Sequence, residues 1–359
     1  MLYLAAGLIL GVLLNLLPLW QPSAALELHP RWHGAVAAID AIEPSPDAGL
    51  QKTPLPPVVT EDAITILSGA GTLITKQVVR DRLFSAARGG ERFVTYEKAG
   101  SSIEYFGMGG DRFWKIESRE YPYISYNGKM VLLLTSDHSA LRFVDFNGNP
   151  IGVGKLSGRF ATVISFAEHS DNAAVGFLDG AYYLFNGRGE ILYQGMTPGG
   201  SPVKSAAVSP GGAFGAVHFG GEKQDAVIII DVLRKKTALL PLGRVHLAKT
   251  ALHAADDGTV AVLDYNRILI AGRRGKVTRT IPVPPAKTGM SSLTRADGLV
   301  LAAYTRREGD AQMAIFTSDG LPLYAQTFPL ESYLKLSLRG PVILLRGSHN
   351  LYCYSLSVR

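Results

Sequence analysis

The chain has 359 residues, 47% of them hydrophobic and 18% charged, with a formal net charge of +6. That composition fits a large folded domain with a modest basic bias. Its single cysteine, Cys353, excludes an intrachain disulfide framework and a cysteine-paired zinc site.

Residues 1–20 carry no charged side chain and are rich in Leu, Ala, Val and Ile. At ~1.5 Å per residue such a stretch is just long enough, as a helix, to cross a ~30 Å hydrocarbon core, so it is expected to be a transmembrane helix or signal anchor. Ser23-Ala-Ala25 leaves peptidase cleavage as the rival reading. Residues 21–60 contain Pro22, Pro30, Pro44, Pro46, Pro54, Pro56 and Pro57 and are expected to be a Pro-rich linker. Within it, residues 32–42 could form one short amphipathic helix. Charge near the apolar segment scarcely discriminates orientation, since Arg31 is about ten residues beyond it. A lone N-terminal apolar segment ahead of a soluble domain points to export, and hence to a single-pass protein of the bacterial inner membrane with its propeller facing the periplasm.

From residue 61 onward a cadence recurs: an apolar strand, a Gly/Asn/Asp turn, a second strand. In one copy the turn is Asn186-Gly-Arg-Gly189, between 182–185 and 190–193. Counterparts of Asn186 fall at Ser68, Gly107, Asn147, Asp231, Ala271, Thr317 and Ser355, in steps of roughly 38 to 46 residues, the length of a propeller blade. A lone small sheet leaves a face and two edges bare, whereas radial stacking covers the faces and leaves short edges. The expected fold is therefore all-β, a β-propeller over residues 61–359. Six full units run from about Leu83 to Leu330. Three strands at 333–338, 341–345 and 351–356, completed by 72–79, predict a seventh blade closed by both ends of the domain. This leaves 62–67 as a surplus strand, with eight blades as the alternative.

Ser205-Ala-Ala-Val-Ser-Pro-Gly-Gly-Ala-Phe-Gly-Ala-Val217 resembles the inner hairpin of WD40 and TolB-type blades. The stretch from Ala255 to Val277, with its Asp256-Asp-Gly258 and Gly272-Arg-Arg-Gly275 turns, is similar to blades of the quinoprotein and NHL type. The resemblance covers about residues 62–359 and implies the propeller fold without singling out a family. No Trp-Asp dipeptide occurs, and the tryptophans are Trp20, Trp32 and Trp114, so neither the WD40 signature nor a tryptophan in every blade is present.

No catalytic residue, cofactor site or metal site is assigned. Gly-rich stretches in this chain make turns rather than strand-to-helix phosphate loops, and no histidine pair has metal-ligand spacing. Propeller geometry could still bring Glu168, Asp171, Asp256, Asp257, Asp297 and His253 together around a channel cation, although Asp is also what a tight turn prefers. Arg234, Lys235, Lys236, Arg244, Arg273, Arg274, Lys276 and Arg279 fall in the outer halves of two neighbouring units and form a candidate basic interaction patch. It lacks interleaved aromatics, which argues against nucleic acid. Aromatic residues gather instead at 121–126, 104–106 and 113–114, a candidate recognition surface. Cys353 reads as a packed strand residue.

The function expected from these features is a membrane-anchored, periplasmic propeller serving as a scaffold for a protein or peptide partner. The alternatives are a ligand- or metal-binding propeller of quinoprotein or lactonase type and an envelope-assembly factor.

Overall fold

The computed structural model describes residues 26–43, 54–97, 100–220, 223–296, 298–306 and 309–358. Their strands form eight small antiparallel sheets, seven of four strands and one of three. Blade 1 contains Val58–Val59, Ala63–Leu67 and Leu73–Val78. Blade 2 runs from Leu83–Ala86 to Arg112–Glu117, blade 3 from Tyr121–Ile124 to Pro150–Ser157, and blade 4 from Ala161–Phe166 to Ile191–Met196. Blade 5 runs from Val203–Val208 to Lys236–Pro241, blade 6 from Leu252–Ala254 to Val277–Pro282, and blade 7 from Ala286–Ala296 to Pro322–Phe328. Blade 8 takes Leu334–Arg339, Val342–Gly347 and Asn350–Val358 from the C-terminal end, and its outermost strand is Leu26–Ala35.

The ring thus has eight blades, and the seven-bladed expectation is corrected. Two sequence assignments cause the difference. Leu73–Val78 does not complete the C-terminal blade; it pairs with Ala63–Leu67, which is the middle of blade 1 rather than a surplus strand. The closing strand comes from the expected linker. Leu26–Ala35 pairs with Asn350–Val358 from Leu26↔Val358 to Ala35↔Asn350, with a bulge between Pro30 and Trp32. Proline is tolerated there because an outermost strand has one side free of ladder partners. The amphipathic helix expected over 32–42 is also corrected: Trp32 lies in the strand, and a 3-10 turn, Val36–Ala41, follows it. Residues 1–20, where the transmembrane helix was expected, lie outside the described residues. Among the described residues no helix is long and apolar enough to cross a membrane.

Central strands are buried on both sides because each is sandwiched between two blades. Ile228 and Ile230 of blade 5 pack with Leu184 and Tyr182 of blade 4, whereas Val227 and Ile229 pack with Val260, Val262 and Leu269 of blade 6. Side chains alternate across a strand, so two opposed apolar faces produce the continuous apolar run 226–230 within the strand Ala226–Asp231. Each fully buried Ile or Val contributes about 1.5–3 kcal/mol. Outer strands such as Lys236–Pro241 are largely exposed.

The recurring turn is held by a side chain at its start and a left-handed residue three places on. The Asn186 carboxamide oxygen accepts from the backbone N–H of Arg188 and of Glu190, and Gly189 has φ +71°. Asp145 with Gly148, Ser68 with Gly71 and Thr317 with Gly320 repeat the arrangement. In blade 5 the left-handed place is filled by Lys235, at φ +51°. A left-handed non-glycine residue costs about 1–2 kcal/mol, partly offset by the extra freedom glycine has in the unfolded chain. Lys235→Gly should therefore raise the unfolding free energy by about 0.5–1 kcal/mol in urea titration; an unchanged or lower midpoint would contradict this account of the turn.

Strands alternate in direction, which gives the ring two distinct faces. One, the hairpin face, carries the turns joining first to second and third to fourth strands. The other, the crossover face, carries the second-to-third turns and the crossings between blades.

Candidate functional site: the axial cavity and the two faces

First strands line the axis. Between them lie two adjoining cavities of about 180 Å³ and about 280 Å³, both bordered by Arg88, Ser165, Phe166 and Leu252. The smaller adds Glu168, His253, Ser292 and Lys335; the larger adds Tyr126, Lys249 and Thr250. Toward the hairpin face Glu168 of blade 4 accepts from the Thr294 hydroxyl of blade 7 at 2.7 Å, a contact that must span the lumen. His253 Nδ1 stands 3.8 Å from the same carboxylate, and burial lowers that imidazole's pKa.

The acidic residues that ring geometry could have gathered around a channel cation do not converge on the axis. Asp171 accepts from Ser125 Oγ, Asn127 N and Asn127 Nδ2, tying blade 4 to blade 3. Asp256 accepts from Gly211 N, tying blade 6 to blade 5. Asp257 caps its own turn through Thr259 N and faces Arg295 at 3.9 Å. Asp297 lies outside the described residues. Among the described residues no group of three His, Cys, Asp or Glu side chains could hold a metal ion.

What the axis gathers instead is positive charge. Arg88 comes from the turn after the first strand of blade 2, Lys249 from the crossing into blade 6, and Lys335 from the first strand of blade 8. Arg346 is the direct cross-strand neighbour of Lys335. Lys335 is open to the lumen yet surrounded by protein; burial and the charges of Arg88, Arg346 and Lys249 push its ammonium down to about 8. No carboxylate lies within ion-pair distance of any of these four among the described residues, and Arg346 Nε is buried without a hydrogen-bond partner. Arg339 sits at the same hairpin-face mouth, where it donates to the Gly89 carbonyl of blade 2.

The basic patch divides between the two faces. Arg234, Lys235 and Lys236 form the third-to-fourth turn of blade 5, and Arg273, Arg274 and Lys276 that of blade 6, all exposed on the hairpin face. Gly275 lies against the Leu239 carbonyl, so the blade 6 turn packs on the outer strand of blade 5. Arg279 is on the outer strand of blade 6, paired at 3.4 Å with Asp319. Arg244 is on the crossover face, its guanidinium 3.8 Å above the Tyr265 ring.

Sequence reasoning missed the polar network beside Arg244. Asp225, fully buried, accepts from Lys204 Nζ at 2.8 Å, His218 Nε2 at 2.8 Å and His246 N at 3.0 Å. His246 Nε2 in turn donates to Asp264 at 2.9 Å, which also holds Arg267 at 2.7 Å. Burial lowers the His218 imidazole to about 4, keeping it neutral. Donors from His246, Arg267 and Gly243 outweigh burial and hold Asp264 at about 2. The network clamps blade 5 to blade 6.

Of the expected aromatic surface, only part is exposed. Tyr105 stacks on Trp114 at 5.0 Å inside the core, and Phe106 stacks on Phe93. Tyr121 instead belongs to a row on the crossover face. Tyr96 meets it edge-on at 6.0 Å, it meets His138 at 6.5 Å, and His138 stacks on Phe160 at 5.4 Å. Phe160 is 48% exposed, and Leu178 and Met196, each 52% exposed, extend the row across blade 4.

No protein-family model matches the chain, and no curated protein sequence does. Solved structures do. BamB from Moraxella catarrhalis aligns over 92% of this chain and 98% of its own, with a TM-score of 0.60 and 12% identity. The Dos1 propeller aligns over 91% and 95%, with a TM-score of 0.57 and 12% identity. Dihydro-heme d1 dehydrogenase NirN aligns over 86% and 74%, also with a TM-score of 0.57 and 12% identity. The chain has the β-propeller fold. At such identity the likeness extends to fold alone, and the chemistry has to be argued from the side chains of this ring.

Proposed function

We propose that this chain is a membrane-anchored, periplasmic propeller whose crossover face receives a protein partner. The observation that carries the reading is the closing strand. Leu26–Ala35 starts on the hairpin face, so only residues 21–25 separate that rim of blade 8 from the apolar stretch 1–20. Five residues span at most ~18 Å. With the apolar stretch in a bilayer, the hairpin face is drawn toward the lipid, and the basic turns of blades 5 and 6 meet its anionic headgroups. The crossover face then points away, presenting the row from Tyr96 to Met196. Exposed aromatics flanked by polar groups, here the Arg159–Asp179 pair, suit protein recognition.

The test uses the full chain in cells, with a photo-crosslinking residue at Phe160 or at Lys236. The reading expects retention in membranes after carbonate washing and digestion by protease added to spheroplasts. It expects a discrete protein adduct from position 160, abolished by Leu178→Asp, and lipid adducts from position 236. A carbonate-soluble chain, protection from protease, or protein adducts from position 236 alone would overturn it.

A further inference from the structure

The axial cavity carries an uncompensated charge that neither the tether nor the crossover-face partner uses. Arg88, Lys249 and Lys335 border it, with Glu168 as the acidic group on its wall, already engaged by Thr294. Arg346 adds a fourth cation beside Lys335. Like charges brought together in a concave, partly desolvated space repel one another, and the space focuses their field. Such an arrangement is stabilised when an anion occupies it.

We propose that the axial cavity binds a small polyanion, a phosphorylated or polycarboxylate molecule, gripped by Arg88, Lys249 and Lys335 with Arg346 behind them. Arg88 supplies a planar fork suited to two oxygens of a phosphate or carboxylate, and the lysines supply point charges from blades 6 and 8. The Ser292 hydroxyl accepts from Leu336 N, which leaves its proton free to donate into the cavity. At ~30 Å³ per water the two parts hold about six and about nine waters, enough for pyrophosphate or citrate and too little for a folded segment. Glu168, engaged by Thr294 beside His253, repels an anion, so the ligand sits against Arg88 and Lys335.

The charge of Lys335 sets a pH dependence. Its ammonium is flanked by Arg88, Arg346 and Lys249, with Glu168 and His253 on the facing wall and Tyr126 and Arg339 toward the mouth. Its pKa is lowered to about 8, so above that pH the empty site holds one charge fewer. Affinity for a polyanion therefore falls as pH rises from 7 to 9.

Calorimetric titration of the full chain in detergent at pH 7 with inorganic phosphate, pyrophosphate and citrate tests the proposal. Saturable binding of at least one probe is expected, weakened about tenfold or more by Lys335→Met and by Arg88→Met, each of which removes a charge-assisted contact. Removing repulsion should leave both variants folded, which circular dichroism checks. A Lys236→Glu variant should bind as the parent does. Absence of saturable binding by all three probes overturns the proposal. So does equal affinity in Lys335→Met and Arg88→Met, or loss of binding in Lys236→Glu, which would move the site to the basic hairpins.

Discussion

Replacing Asp225 with alanine will lower the unfolding free energy by about 3–5 kcal/mol, the cost of stranding a partly buried cation and its fellow donors. The side chain is fully buried and receives Lys204 Nζ, His218 Nε2 and the His246 amide. Without it the Lys204 ammonium keeps a carbonyl, His246 O at 2.7 Å, but no counter-charge, and His218 loses its acceptor. Because the loop from Leu242 to Thr250 hangs on this carboxylate, blades 5 and 6 should separate locally. Urea titration measures the loss, and hydrogen exchange should place it in those blades. A change under 1 kcal/mol would show that the network is ornament rather than clamp. The same group of residues predicts acid sensitivity. His218 has a folded pKa lowered to about 4, so between there and its ordinary value near 6.5 the unfolded chain binds more protons. Stability is therefore greatest above that window and falls as pH drops from 6.5 to 4. Asp264, lowered to about 2, extends the loss below pH 4.

Trp32→Ala is expected to cost about 3–5 kcal/mol. Trp32 is 7% exposed and packs with Leu55, Val58, Leu67, Leu344 and Cys353 where blade 8 meets blade 1. Its indole N–H donates to the Gly69 carbonyl of blade 1 at 3.1 Å, toward which the Cys353 thiol is also directed. Burial pushes that thiol up to about 12, which keeps it protonated and inert. The residue lies at the seam where the ring is closed by strands from its two ends, so its loss should open the ring rather than loosen one blade. Trp32→Phe keeps most of the volume and forfeits the hydrogen bond, and should cost about 1–2 kcal/mol. Equal effects of the two substitutions would contradict the packing argument.

Repeat spacing revealed the fold because the turns recur with a left-handed residue at fixed separation, and in several a capping side chain opens them, as at Asn186 and Gly189. The eight evenly spaced positions from Ser68 to Ser355 already matched eight blades. The count slipped at the closure. A fourth, outer strand needs ladder hydrogen bonds on one side only, so composition does not single out Leu26–Ala35, and the expected closing strand is 72–79. Pro30 gave Leu26–Ala35 the character of a linker, and only the pairing to Asn350–Val358 decides between the two segments. The axial cations were illegible for another reason. Arg88, Lys249 and Lys335 are far apart in the chain, and none sits in a motif; ring closure alone makes them neighbours. The acidic residues misled in the opposite sense, since Asp171 and Asp256 sit in turns that point at adjacent blades. Of the basic patch, the six residues at 234–236, 273–274 and 276 lie on the hairpin face, Arg279 on the outer strand of blade 6 and Arg244 on the crossover face, because chain proximity ignores which face a crossing occupies.

Closure by Leu26–Ala35 determines the blade count, and the proposed tether and membrane-side face depend on it. Paired antiparallel residues have Cα atoms about 4.5–5.5 Å apart, within reach of a disulfide. In a Cys353→Ser background, Glu27→Cys with Ser357→Cys should oxidise rapidly and completely, and Lys76→Cys with Ser357→Cys should not. Efficient bridging of the second pair with none of the first would mean that Leu73–Val78 closes a seven-bladed ring, which contradicts closure by Leu26–Ala35 and everything that depends on it.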